Sequence, residues 1–235
     1  MNIVVLNYSG SVGKTVVASH VLAPRIPSAD IIAVESTNET GADLGLTVEQ
    51  MRGEQFGLLF RRLLTCEAAI VDVGATNVED FLAHMVRYDQ SHDEIDYFVL
   101  PVIPSGKAQR ETLKTIEALV ALGVQAPRIR VVFNRVEIDV RDEFAPIFGY
   151  ARVNQTFQPN PLAAIYRNDV FDLLANRRIT ISEVLADTTD YRQLLREAKP
   201  TDEKEIARYT ELIALRALAR PVHQQLDSVF AALLS

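Results

Sequence analysis

The chain has 235 residues, 48% hydrophobic and 23% charged, proportions of a globular protein large enough for one substantial core. Its formal net charge of −7 argues against a uniformly basic nucleic-acid binder, and no apolar run approaches the ~18 residues that span a bilayer. One cysteine, Cys66, excludes an intrachain disulfide or a cysteine-based metal site.

In chain order, short Val- and Ile-rich runs predict strands over 2–7, 30–35, 68–73, 97–102 and 128–134. Most are apolar at successive positions, as strands buried on both faces require. Helical patterns over 14–22, 48–64, 78–87 and 107–122 alternate with them. The last carries Leu113, Ile116, Leu119, Val120 and Leu122 on one face, with Gly123 placed to cap it. This alternation predicts an α/β fold, a mostly parallel twisted sheet flanked by helices. After residue 150 strand signals fade, and helices are expected over 170–175, 181–185, 191–198 and 202–234. Pro221 is expected to break or kink the last of these near Arg220. Without an evident linker, residues 1–235 read as one domain, with 1–170 as its core and 171–235 as a helical extension packed on it. The first strand follows Met1 directly and leaves no room for a secretory leader, so a cytoplasmic location is expected.

The segment Asn7-Tyr8-Ser9-Gly10-Ser11-Val12-Gly13-Lys14-Thr15 lies between the first strand and the first helix. A strand, a glycine loop and a helix N-terminus together cradle a polyphosphate, because loop N–H groups and the helix dipole face the anion. Gly10, Ser11, Val12, Gly13, Lys14, Thr15 and Val16 are therefore candidate binding residues. Lys14, expected to face solvent, would reach the β- and γ-phosphate oxygens, and the Thr15 hydroxyl would join a Mg²⁺ shell. A turn in which the glycines only reverse the chain is the alternative, and the position between strand and helix weighs against it. Ala68-Ala69-Ile70-Val71-Asp72-Val73-Gly74 adds a carboxylate at a buried strand's end, where ligands of open α/β sheets bind. Asp72 is the second candidate metal residue, beside the reading of a strand-end Asp that caps a turn.

The glycine spacing departs from the common P-loop, since Tyr8 stands five residues before Gly13. It resembles instead the deviant Lys-Gly-Gly-x-Gly-Lys-Thr pattern of the ParA/MinD family of P-loop NTPases, matched at Gly10, Gly13, Lys14 and Thr15. Ser9 stands at the position of the family's signature lysine, which reaches across a dimer to the other subunit's phosphates, and Ser11 replaces the second glycine. Tyr97-Phe98-Val99-Leu100-Pro101-Val102-Ile103-Pro104 looks like the family's fourth strand. Val131-Val132-Phe133-Asn134-Arg135 looks like its strand ending in Asn-Arg. The resemblance implies that Asn134, with Arg135, borders the adenine ring; satisfying a loop backbone is the other role open to the Asn134 amide. It also sets 157–162 where family members close a loop over the base. Glu35 is the nearest acid to the family's Asp-x-Asp, so it is the candidate for positioning the attacking water, with Lys14 and Asp72 completing the catalytic set.

What the resemblance implies is an ATP/ADP- and Mg²⁺-binding switch, an ATP-dependent homodimer served by a small partner or adaptor protein, and a role in plasmid stability or DNA partition like that of StbB-like proteins. Ser9 and the missing Asp-x-Asp point to slow turnover. A nucleotide-binding adaptor with little hydrolysis and a dethiobiotin-synthetase-like metabolic enzyme are the alternatives. Residues 1–150 hold 13 basic and 20 acidic side chains, and 151–235 hold 11 of each. Arg177, Arg178, Arg192, Arg196, Lys199, Lys204, Arg208, Arg216 and Arg220 of that tail could bind DNA phosphates without reading sequence, or form a solvated helix face interleaved with acids. The segment 222–234 is amphipathic but has no Lys or Arg, which favours packing over membrane attachment.

Overall fold

A computed structural model describes residues 1–35, 49–51 and 55–235. Seven strands among the described residues form one parallel sheet: β1 (Asn2–Val5), β2 (Asp30–Val34), β3 (Glu49–Met51), β4 (Ala69–Val73), β5 (Tyr97–Val102), β6 (Ile129–Val136) and β7 (Ala164–Tyr166). Their order is β3-β2-β4-β1-β5-β6-β7, every neighbouring pair parallel. β1 is thus central, with β4 and β5 on either side, and the loops leaving its C-terminal end open between those of its neighbours.

Because strand side chains alternate between faces, the sheet separates two cores. Val4, Val71, Phe98, Leu100, Val131 and Phe133 project into one, covered by α2 (Phe56–Thr65), α3 (Val78–Arg87), α4 (Gly106–Ala121) and α6 (Ala145–Asn154), which follows the short α5 (Val140–Glu143). Ile3, Val5, Ile70, Val99, Val132 and Ile165 project into the other. That face is covered by the helix after the first loop and by α7 (Val170–Arg177), α8 (Ile181–Ala186) and α10 (Glu203–Leu234), with α9 (Tyr191–Glu197) lying against α10.

The first helix begins as α1 (Lys14–Val16), widens to π-helical turns over Val17–Leu22 and closes with a 3-10 turn at Ala23–Arg25. Arg25 fixes its end to the far end of the chain. Its guanidinium donates to the carbonyls of His20, Val21 and His223 and to Asp227 Oδ1 at 2.6–3.0 Å. The four tail helices lie where they were expected.

Several features differ from the sequence reading: strand β7 lies beyond residue 150, where no strand was expected, and α5 and α6 were not foreseen. The helix expected over 48–64 gives way at its start to edge strand β3, and the helix begins at Phe56. Residues 48 and 52–54 of that stretch lie outside the described residues. The 107–122 helix buries Gln109, Thr112 and Thr115 beside Ile116 and Leu119, while Val120 is 37% exposed. The threonines turn inward because each donates its hydroxyl to a carbonyl four residues back, at 2.8 Å. Pro221 does not break α10, which runs from Glu203 to Leu234. Pro221 and Ala217, whose carbonyl loses its helical partner there, are both exposed, so water can satisfy that oxygen. The expected cap at Gly123 is present, with φ of 93° and Val124 N–H donating to Leu119 O at 3.1 Å.

Candidate functional site

The loop from Asn7 to Gly13 is fastened before it reaches the helix. Asn7 is fully buried; its amide donates to Pro101 O at 2.9 Å and to Thr112 Oγ1 at 2.7 Å, and its Oδ1 accepts from Ser9 N–H at 2.8 Å. Tyr8 N–H donates to Thr115 Oγ1 at 3.2 Å. Asn7, Thr112 and Thr115 were not foreseen as site residues. The polar residues Gln109, Thr112 and Thr115, spaced along the same helix face as Ile116 and Leu119, were the available signal. Ser11 takes φ of 57° and Gly13 φ of 93°, so a serine holds a left-handed conformation that glycine adopts without strain. A Cβ at Gly10 would meet nothing within 4 Å, leaving open space against the loop.

Lys14 does not face solvent, contrary to expectation. It is 8% exposed, and its Nζ donates to Ser9 O at 3.0 Å and Asn7 O at 3.3 Å. Burial lowers its pKa from the ordinary lysine value, while the charges of Asp72 and Glu35 raise it. Strand register explains that company. Val5 lies beside Asp72 across β1 and β4, and Val34 lies beside Val73 across β2 and β4, so Glu35 falls next to Gly74. A Cβ on Gly74 would come within 3.2 Å of Glu35 Cγ and 3.3 Å of Asn77 Nδ2. Asp72 is 5% exposed; burial raises its pKa, and a hydrogen bond with Thr15 and the Lys14 charge lower it. The structure thus gathers Lys14, Thr15, Asp72 and Glu35 at one end of the sheet. Residues 36–39, which follow Glu35 and include Glu39, lie outside the described residues.

Asn134 sits 4% exposed at the C-terminal end of β6 and donates its Nδ2 to Val12 O at 2.8 Å, while its Oδ1 accepts from Arg135 N–H at 2.9 Å. A Cβ on Gly13 would lie 2.2 Å from that Nδ2, so the amide bears directly on the loop. Beside it opens a cleft of about 430 Å³, walled by Val16, Ile103, Pro104, Tyr166 and Phe171 and edged by Arg135 and Asp169. Residues 157–162 do not line it. Phe157 is buried, and Asn160 donates to Ala232 O at 2.9 Å.

The donor set fits a polyphosphate with a divalent cation. The Lys14 ammonium lies on the loop carbonyls, open space adjoins Gly10, and Thr15 and Asp72 form a hydroxyl–carboxylate pair. Lys14 and Asp72 are both buried, and burial disfavours the charged form of each. Anionic phosphate and a cation are the charges that would favour those forms.

Fold and loop together define a P-loop NTPase architecture of the ParA/MinD type. No family model and no curated protein matches the sequence. Among solved structures, a Cyanothece McdA variant in complex with ATP is similar, with a TM-score of 0.53 and 17% identity over 91% of this chain and 96% of that one. The MinD cell division protein of Aquifex aeolicus is also similar, with a TM-score of 0.50 and 13% identity over 91% and 97%. At these identities the likeness establishes the fold.

Proposed function

We propose that this chain is a Mg²⁺-dependent ATP-binding switch of the ParA/MinD type, a slow ATPase acting in plasmid stability or DNA partition in the manner of StbB-like proteins. The observation that carries the reading is the convergence of Lys14, Thr15 and Asp72 at the C-terminal ends of the central strands. In this reading the loop N–H groups and Lys14 hold the phosphates, Thr15 and Asp72 hold the cation, and Glu35 orients water. A cation held there would supply charge neutralisation at a transferring phosphoryl group. Lys14 would exchange its two loop carbonyls for phosphate oxygens, and the cleft edged by Arg135 would take the base. Residues 1–235 act as one cytoplasmic domain that dimerises with ATP, and among the described residues no helix is long and apolar enough to cross a membrane. DNA contact falls to exposed tail residues such as Lys199, Lys204 and Arg208, since Arg177 is paired with Glu211.

Ser9 favours a second reading, an adaptor that binds nucleotide with little hydrolysis. It is 6% exposed, and its side chain cannot supply the charge of the signature lysine. Equilibrium binding with and without Mg²⁺, combined with turnover and solution mass in ATP or ADP, tests both. Lys14→Ala should weaken nucleotide binding at least tenfold, and Asp72→Ala should remove the part of affinity that depends on Mg²⁺. Wild-type affinity in Lys14→Ala would sink the proposal. Binding without turnover or a change of mass would select the adaptor.

A further inference from the structure

Far from the phosphate loop, the first turn of α9 and one stripe of α10 enclose a cleft of about 360 Å³. The α10 residues that line it are Ile213, Arg216, Ala217, Arg220 and Pro221, and Tyr191 and Arg192 face them from α9. The α10 positions follow i, i+3, i+4, i+7, i+8, the spacing of a continuous helix face. Such a face usually packs against another element, yet here Ala217, Arg220 and Pro221 are exposed. The twelve residues of α10 before Leu215 contribute no fully buried side chain, and Tyr209 among them meets the Tyr191 ring of α9 at 6.0 Å.

The chemistry of the cleft is cationic, and one of its cations is already oriented. Arg216 donates from Nη1 to Thr189 O at 3.0 Å, and its guanidinium lies over the Tyr191 ring at 5.1 Å. Nη2 stands 3.3 Å from Asp187 Oδ2 but completes no hydrogen bond. The nearby carboxylates are engaged internally. Asp187 accepts from Tyr191 Oη and Thr189 N–H, which with Arg216 hold its pKa down to about 2. Asp190 accepts the N–H groups of Arg192 and Gln193 that open α9. Arg192 and Arg220 have no ion-pair partner among the described residues. Each therefore keeps its donors for an incoming anion.

We infer that this cleft docks an acidic peptide segment of a partner protein, one Asp or Glu meeting the three guanidiniums while a neighbouring apolar residue lies on Ile213, Ala217 and Pro221. An oriented guanidinium recognises carboxylate in two-pronged fashion, and the apolar stripe adds contact that a phosphate backbone would not use. Duplex DNA fits less well. The opening is concave, and its apolar lining at Ile213, Ala217 and Pro221 has no counterpart on a phosphate backbone.

The test uses the full chain and a short fluorescein-labelled peptide alternating Glu with Leu, read by anisotropy. Saturable binding that weakens with salt is expected. Arg192→Glu with Arg220→Glu should lower affinity about tenfold or more, as reversal of a charged contact does. Arg216→Lys keeps the charge but loses the fork and the stacking, so it should fall between wild type and that double variant. Both reversed residues are exposed. Should the reversal still disturb the thermal melt, Arg192→Gln with Arg220→Gln replaces it. No binding by wild type, or equal binding by the double variant, overturns the inference. So does labelled duplex DNA that binds more tightly than the peptide and loses affinity through the same pair.

Discussion

Asn134 takes the second of the two roles its sequence left open, its amide satisfying the backbone of the loop before α1. Removing a buried hydrogen bond costs about 1–3 kcal/mol, so Asn134→Ala should lower affinity for ATP about tenfold. It should lower affinity for inorganic tripolyphosphate by the same factor, since the lost contact supports the loop rather than the base. Calorimetry with both ligands decides; a loss confined to ATP would return Asn134 to reading the base. His20 offers a second test. It is 1% exposed, neither ring nitrogen has a hydrogen-bond partner, and its ring lies 5.8 Å from that of Phe171. Burial pushes its pKa from 6.5 down to about 4. The unfolded chain therefore takes up the proton first, and stability falls as pH drops from 6.5 towards 4. The loss reaches about 3 kcal/mol at the acid end, since each pKa unit corresponds to 1.36 kcal/mol. In urea titrations His20→Leu should show a shallower acid loss than wild type across that window. Parallel curves would show that the imidazole is not the group responsible.

Among the elements, α10 carries the clearest prediction. Proline inside a helix costs about 3 kcal/mol relative to alanine, and Pro221 stands on an exposed face where no packing requires its ring. Pro221→Ala should stabilise the chain by about 1–3 kcal/mol, read as a higher urea midpoint at unchanged slope. A neutral result would mean that the surrounding contacts already accommodate the defect. The proline signal was legible, but its outcome depended on which face of α10 meets the core. Ala219, Val222 and Leu226 on the buried side hold the helix together across it. Central strands were legible because burial on both faces leaves unbroken apolar runs. β7 has three residues, and β3 comprises Glu49, Gln50 and Met51, so neither offers such a run. Both are edge strands placed by pairing with β6 and β2. The helices over 140–154 were missed for another reason. Asp139, whose side chain accepts from Arg141 and Asp142 N–H, and Pro146 were start signals, but the mixed sequence between them has little apolar periodicity.

For the whole molecule, the glycine loop and the strand ending at Asp72 stand out as short motifs because each lies within one strand–loop unit. What could not be read is how distant segments meet. Glu35 reaches Gly74 through register, Asn134 reaches Val12 across 122 positions, and Thr112 reaches Asn7 across 105. Arg25 spans more still, joining the helix after the loop to Asp227 at a separation of 202 residues. During synthesis that helix emerges early, yet the side chains that cover it leave the ribosome tens of seconds later at about 5–20 residues per second, after nearly every other element. Until α10 arrives, Val17, Val21 and Leu22 lack part of their cover, and Arg25 lacks its carboxylate. The nascent chain can therefore assemble its sheet before its loop-bearing helix is locked, so an arrest short of α10 would leave the helix after the loop incompletely covered.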